Sequence, residues 1–223
     1  EVALDDGSVE NVPGDKVVIA TGSNTLNVPS LPIDHTHILT SDDALEIDHV
    51  PARLLVVGGG VVGTELAFIF RSFGSHVTVV EGQSRLLPVP SVDEEMSKLL
   101  LREMKKKGIA VELCRTVNST VVENGVVKAR LGPSPFLPPE SIPESAKKEA
   151  CLEADPVFVT VGRPPNTEGL GLAEAGLATD IRGSYIAEHR PETNLPGTYS
   201  LRHLPSPAPP LLHPTTSASE HLP

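Results

Sequence analysis

Two apolar strands joined through a glycine-rich turn and a helix constrain this chain more than any other feature. Arg53-Leu54-Leu55-Val56-Val57 is an apolar run without polar alternation, as expected of a strand buried on both faces of a parallel sheet. Gly58-Gly59-Gly60-Val61-Val62-Gly63 follows, and then a helical stretch to about Phe73. Gly74 is placed to stop that helix as a left-handed cap. A second buried run, His76-Val77-Thr78-Val79-Val80, ends in Glu81. Strand, glycine turn, helix and strand in this order predict a βαβ unit.

Each glycine of the turn has a physical task. Gly58 permits a tight exit from the strand, Gly60 lets backbone approach a pyrophosphate, and Gly63 lets the helix pack close to the strand. Gly59, Val61 and Val62 complete the cradle, in which free N–H groups and the helix dipole favour an anion. Glu81 is the decisive addition. A carboxylate at the end of the second strand accepts hydrogen bonds from both ribose hydroxyls and repels a 2′-phosphate, which favours NAD over NADP. Arg85 is the lone basic residue just beyond it.

The remaining elements extend the same pattern. A second helix is predicted from near Ser91 to Lys107, with Met96, Leu99, Leu100 and Met104 at helical spacing. Its first turn is acidic and its last is Lys105-Lys106-Lys107, as the helix dipole prefers. Ile109-Ala110-Val111-Glu112-Leu113 reads as a third strand. Thr120-Val121-Val122 and Val126 to Leu131 flank Glu123-Asn124-Gly125, a hairpin signal. Residues 132–149, with Pro133, Pro135, Pro138, Pro139 and Pro143, read as a loop insertion. Structure resumes with a buried strand over Asp155 to Val161 that ends at Gly162.

Upstream, Asp6-Gly7 marks a hairpin turn, and Lys16-Val17-Val18-Ile19-Ala20 is a strand closing on Thr21-Gly22-Ser23. Residues 25–50 read as a connector. From Leu204 onward the chain is rich in Pro, Ser, Thr and His, and residues 204–223 are predicted to be a disordered tail.

Composition narrows the function. With 18 basic and 29 acidic residues the net charge is −11, which disfavours nucleic acid and anionic membranes as partners. No apolar run approaches the roughly twenty residues of a membrane helix. Aromatic residues are 3% and Trp is absent, so the core must be aliphatic, which suits a parallel sheet covered by helices. Cys114 and Cys151 are too few for a disulfide scaffold and lack metal-ligand spacing, so no metal site is predicted.

The run LLVVGGGVVGTELAFIFRSFGSHVTVVE, followed by a helix ending in KKKGIAVEL, resembles the NAD domain of the pyridine nucleotide-disulfide oxidoreductases. Within that family it is most similar to the dihydrolipoyl dehydrogenase branch. KVVIATGS upstream, and FVTVGRPPNTEGLGLAEAGLATD and ETNLPGTYS downstream, are similar to the same family in the same order. The resemblance covers residues 1–200. It implies an α/β fold, with a Rossmann-like three-layer NAD-binding domain inserted in an incomplete FAD-binding domain. The boundaries it implies are 1–50 and 166–203 for the FAD segments and 51–165 for the NAD domain. It further implies an oxidoreductase passing electrons from a dithiol through flavin to NAD, a homodimer, and a mitochondrial or cytoplasmic location. By position, Gly58 through Gly63 and Glu65 line the NAD pyrophosphate and nicotinamide side. Glu81 takes the adenosine ribose, Val117 lies near the adenine, and Gly162 lies near the nicotinamide. Thr21, Gly22 and Ser23 resemble a flavin-contacting turn. Arg163 is expected in a structural ion pair, and Glu65 serves either the ligand or the helix dipole.

The chain also departs from the family pattern. The first FAD-binding glycine motif and the CxxxxC redox pair would lie ahead of Glu1, and neither Cys114 nor Cys151 fits such a pair. The flavin-binding Asp expected after Tyr199 is replaced by Ser200-Leu201-Arg202-His203. His213 and Glu220 echo the family's His–Glu motif at the wrong spacing and read as chance. The expectation is therefore an NAD-binding part without catalytic residues of its own, which does not retain FAD alone and ends in a shifted or truncated reading frame. Two alternatives stay open, a non-catalytic NAD-binding module and a product that does not fold.

Overall fold

The computed structural model describes residues 2–179 and 192–200. The chain divides into two units, one of Thr25–Arg163 and one of Glu1–Asn24 with Pro164–Pro223.

The first of these is built on a parallel sheet of five strands, β4 (Ile38–Thr40), β5 (Arg53–Val57), β6 (His76–Glu81), β7 (Ala110–Leu113) and β11 (Val157–Val159). Their order across the sheet is β4-β11-β5-β6-β7, and every neighbouring pair is parallel. The chain turns one way from β5, through helix α2 (Val61–Ser72), into β6, whereas β11 lies on the other side of β5. Strand order therefore reverses at the β5–β11 seam, and the crevice above their carboxyl ends is where open α/β sheets place ligands.

Because side chains alternate across a strand, each face of the sheet has its own core. Leu54, Val56, Val77, Val79 and Phe158 point to one face, against Leu66, Ala67 and Phe70 of α2 and Met104 of helix α3 (Glu94–Lys106). Leu55, Val57, Val80, Val157 and Val159 point to the other. That second face is covered by an antiparallel sheet rather than by helices, a correction to the expectation of helical cover. Its strands are β8 (Arg115–Glu123), β9 (Val126–Pro133) and β10 (Ala150–Ala154), in the order β10-β9-β8, and they contribute Val117, Val127, Ala129, Leu131 and Ala154. The three layers are helix, parallel sheet and antiparallel sheet. Phe158 is fully buried and meets Phe70 edge-on at 5.0 Å between ring centres.

The local signals act as expected in this unit. Gly74 takes φ +108 and closes α2, while Asn124 and Gly125, at φ 52 and 75, form the hairpin turn between β8 and β9. Asp93 caps α3 by accepting the amide hydrogen of Glu95. Two segments differ from expectation. Residues 25–50 are not merely a connector, because they contain β4 and the short helix α1 (Asp43–Glu46), and β4 pairs with β11. These elements fall within the compact unit that runs from Thr25 to Arg163. The 132–149 insertion is partly built as well, with a turn of 3-10 helix at Pro139–Ser141, helix α4 (Glu144–Lys147) and a small core of Ile142 and Ala146 against Cys114. Strand β10 follows it directly, where none was predicted.

The other unit holds smaller elements. Strands β1 (Val2–Ala3) and β2 (Val9–Glu10) form the hairpin predicted at Asp6-Gly7, and Asp6 accepts the Ser8 amide and hydroxyl at 2.9 and 2.6 Å. Strand β3 (Val17–Ile19) pairs in parallel with β12 (Thr198–Ser200). The predicted tail at 204–223, His213 and Glu220 lie outside the described residues. Among the described residues no helix is long and apolar enough to cross a membrane.

Candidate dinucleotide site

The turn after β5 is shaped first by packing. Gly58 adopts φ +112, and its N–H donates to the Val80 carbonyl at 2.8 Å. A Cβ at Gly58 would lie 2.6 Å from the Thr160 carbonyl oxygen, and one at Gly63 would overlap the Gly58 carbonyl oxygen. Both glycines are therefore required by the contact among β5, α2 and the end of β11, before any ligand is considered. Gly60 differs, since a Cβ there would meet nothing within 4 Å. It is the N-cap of α2 and provides no side-chain acceptor for the first-turn amides. A helix of this length beginning on open space, without a capping side chain, offers its amides and dipole to an anion. Val61 and Val62 are exposed beside that opening.

Glu81 is fixed with unusual care for a carboxylate at a strand end. Its Oε2 accepts the Gly59 amide hydrogen at 2.6 Å and its Oε1 accepts that of Gln83 at 2.7 Å, although the residue is only 8% exposed. The Gly59 bond joins the end of β6 directly to the glycine turn. Each carboxylate oxygen keeps a second acceptor site for a hydroxyl. Arg85 is committed elsewhere: its guanidinium donates to the carbonyls of Val89 and Val92 and to the Ser97 hydroxyl, which shapes the loop before α3.

Across the seam, the Thr160 amide donates to the Val57 carbonyl at 2.8 Å, and its hydroxyl reaches the carbonyls of Val57 and Gly58 at 2.9 and 3.1 Å. Thr160, which the sequence reading passed over, locks the end of β11 to the turn; Thr-Val-Gly at the close of a buried strand was its only signal. Gly162, exposed at φ +147, follows Thr160-Val161 beyond the end of β11, whereas Gly58 follows β5 directly. Glu65 lies on the same exposed face of α2 as Val61 and Val62. Val117 is buried at 5% exposure within the second core and presents almost no side-chain surface. Arg163 pairs with Asp42 at 2.9 Å and donates to the Ser41 hydroxyl, the ion pair expected of it.

The Thr21-Gly22-Ser23 turn belongs to the other unit. Gly22 takes φ +76, and its carbonyl accepts the Asn166 amide at 3.0 Å. The Thr21 hydroxyl donates to the Asn166 carbonyl at 2.6 Å. The two cysteines are unpaired: Cys114 is buried, which pushes its thiol pKa up, and Cys151 is exposed on β10. Among the described residues no cluster of His, Cys, Asp and Glu could hold a metal ion.

Comparison with known proteins agrees with this geometry. Residues 1–201 match the family described as pyridine nucleotide-disulphide oxidoreductase. The chain is 38% identical over 197 residues to dihydrolipoamide dehydrogenase of Chaetomium thermophilum, covering 86% of this chain and 36% of that protein. It is 37% identical over 187 residues to the mitochondrial dihydrolipoyl dehydrogenase of Dictyostelium discoideum, covering 82% of this chain and 36% of that protein. Among solved structures, LpdA from Mycobacterium tuberculosis superposes with a TM-score of 0.72 at 26% identity, covering 88% of this chain and 39% of that one. The chain thus spans little more than a third of the length of these relatives. With the glycine turn, the parallel sheet and this match in agreement, the chain belongs to the pyridine nucleotide-disulphide oxidoreductase family.

Proposed function

We propose that Thr25–Arg163 is an NAD(H)-binding unit, and that this stretch supplies the nicotinamide-nucleotide site of an FAD- and NAD-dependent disulfide oxidoreductase of the dihydrolipoyl dehydrogenase type. The observation that carries the reading is the link from Glu81 to Gly59, which sets a ribose acceptor beside a glycine turn whose open side faces a helix N-terminus. The pyrophosphate would lie over Gly59, Gly60, Val61, Val62 and Gly63, and the adenosine ribose on Glu81. The nicotinamide would lie toward Gly162 and Glu65. Bound there, the nicotinamide ring would accept or give a hydride. The turn's amides orient the diphosphate, and Glu81 selects a free 2′-hydroxyl by charge. Arg85, committed to its loop, offers no pairing to a 2′-phosphate, which further supports NAD over NADP.

Thr21, Gly22 and Ser23 are assigned to the flavin side of the same enzyme type. Dithiol chemistry is not assigned to this stretch, since Cys114 is buried, Cys151 is exposed, and the two are not spaced as a redox pair. Titration followed by NADH fluorescence tests the reading. Saturable enhancement with NADH and at least tenfold weaker binding of NADPH is the expected result. Equal binding of the two, or none, would reject it. Flavin absorbance of the purified chain is the parallel measurement: a colourless protein that binds NADH fits a nucleotide-binding unit, whereas bound flavin would extend the assignment to FAD.

A further inference from the structure

The 132–149 insertion is held against the central unit by specific contacts. The Arg115 guanidinium, its side chain 7% exposed, pairs with Glu112 at 3.1 Å and donates to the carbonyls of Ser145 and Lys148. Ile142 and Ala146 bury against Cys114, and the Ser134 amide donates to the Cys114 carbonyl at 2.9 Å. The Ser134 hydroxyl then accepts the Phe136 amide hydrogen at 3.2 Å. This arrangement brings the Phe136 ring against Gly82, where a Cβ would lie 3.1 and 3.4 Å from two ring carbons. The ring is nevertheless 68% exposed. Gly82 directly follows Glu81, so a largely bare aromatic ring on an anchored loop stands one residue beyond the proposed ribose acceptor. Val117, on β8, is too buried to offer a comparable surface.

An aromatic ring that is largely open to solvent, on a loop whose backbone is tied down, can serve as a stacking platform for a planar base. We propose that Phe136 stacks on the adenine of the bound nucleotide, so that the insertion supplies the adenosine end of the site with an aromatic surface. This proposal rests on the NAD reading above. It makes the purine base, rather than the ribose alone, a determinant of affinity.

The chain has no tryptophan, so Phe136→Trp introduces a single indole reporter at the proposed contact. Stacking predicts that ADP-ribose and NADH quench that fluorescence, whereas nicotinamide mononucleotide, which lacks adenine, leaves it unchanged. Phe136→Ala should weaken ADP-ribose binding roughly tenfold, in line with about 1–3 kcal/mol per stacked base. The same variant should leave nicotinamide mononucleotide binding unaltered, and Phe136→Tyr should bind like the parent chain. Normal NADH binding with an unquenched indole and no loss in Phe136→Ala would overturn the platform and leave the NAD reading standing. Failure of the parent chain to bind NADH or ADP-ribose would overturn both.

Discussion

The carboxylate of Glu81 accepts the amide hydrogen of Gly59 at 2.6 Å, so the residue that would read the ribose also fixes the turn that would hold the pyrophosphate. One side chain would then serve both structure and recognition, and its variants should separate the two roles. Glu81→Ala leaves the amides of Gly59 and Gln83 without an acceptor at a nearly closed position, at a cost of about 1–3 kcal/mol. Glu81→Gln keeps an amide oxygen for one of them and should cost less. Both variants remove the charge proposed to exclude a 2′-phosphate, so the NADH-to-NADPH affinity ratio should fall toward one even where stability is kept. Urea unfolding midpoints and paired titrations measure the two effects.

The glycines of the turn should part in the same way. Gly63→Ala drives a methyl group into the Gly58 carbonyl and the Thr160 hydroxyl, so α2 must move off β5. A loss of about 1–3 kcal/mol is expected, as for overpacking elsewhere in a core. Gly60→Ala meets open space in the protein alone and should cost no more than about 1 kcal/mol as an N-cap change. Yet it occupies the volume proposed for the diphosphate and should abolish NADH binding. Thermal melts alongside NADH titration distinguish the pair.

Asp155 clamps the opposite end of the β5–β11 seam. Burial raises its carboxyl pKa, but the Arg53 amide at 2.8 Å and the Arg53 guanidinium at 2.8 Å outweigh that effect and hold it below the usual value of 3.8. A group depressed by folding stabilises the native state above its unfolded pKa, and that contribution is lost as pH falls through the folded value. Stability should therefore drop below about pH 4 in part through this site. Asp155→Asn, which lacks a titrating group, should show a shallower acid limb in urea unfolding between pH 5 and 2, on the order of one proton less taken up.

Hydrogen exchange should follow the two units. Strands β3 and β12 have three residues each, and Val17 and Val18 are exposed, so little apolar burial protects them. Strands β5, β6 and β11 are enclosed on both faces. Amides of β3 should exchange at least a hundredfold faster than those of β5 and β6, on the order of 3 kcal/mol in opening free energy. Ile38 and Leu39 should group with the protected set, because both are buried in the parallel sheet. Equal protection of β3 and β5 would contradict this division.

How far the sequence carries is clear from particular residues. Gly58, Gly63, Gly74, Asn124 and Gly125 were legible because positive φ and close approach are local demands that glycine or asparagine answers within a few residues. The buried runs of β5 and β6 were legible because a strand covered on both faces hides consecutive aliphatic residues, and the glycine turn and helix between them point to a parallel sheet. Ile38-Leu39-Thr40 was not, since three residues show no period and their partner, Val157–Val159, lies far along the chain. Ala150–Ala154 was hidden similarly: its alternation is weak, and its pairing depends on Leu131, Ala129 and Val127 across the insertion. In the site, Glu81 could be read from its place at the strand end, but its bond to Gly59 could not. Phe136 was masked by surrounding prolines that signalled only a loop. An isolated aromatic in a chain with 3% aromatics was the one sign available.

The central claim is that the turn between β5 and α2, with Glu81, receives NAD. Amide chemical-shift mapping of the ¹⁵N-labelled chain during titration with NAD tests it most directly. The account predicts saturable shifts at Gly59, Gly60, Val61 and Val62, with further shifts at Gln83 and Gly162, and little change along β8 and β9 away from the loop. Saturable shifts that leave Gly59 to Val62 unmoved, or no shifts at millimolar NAD, would contradict it.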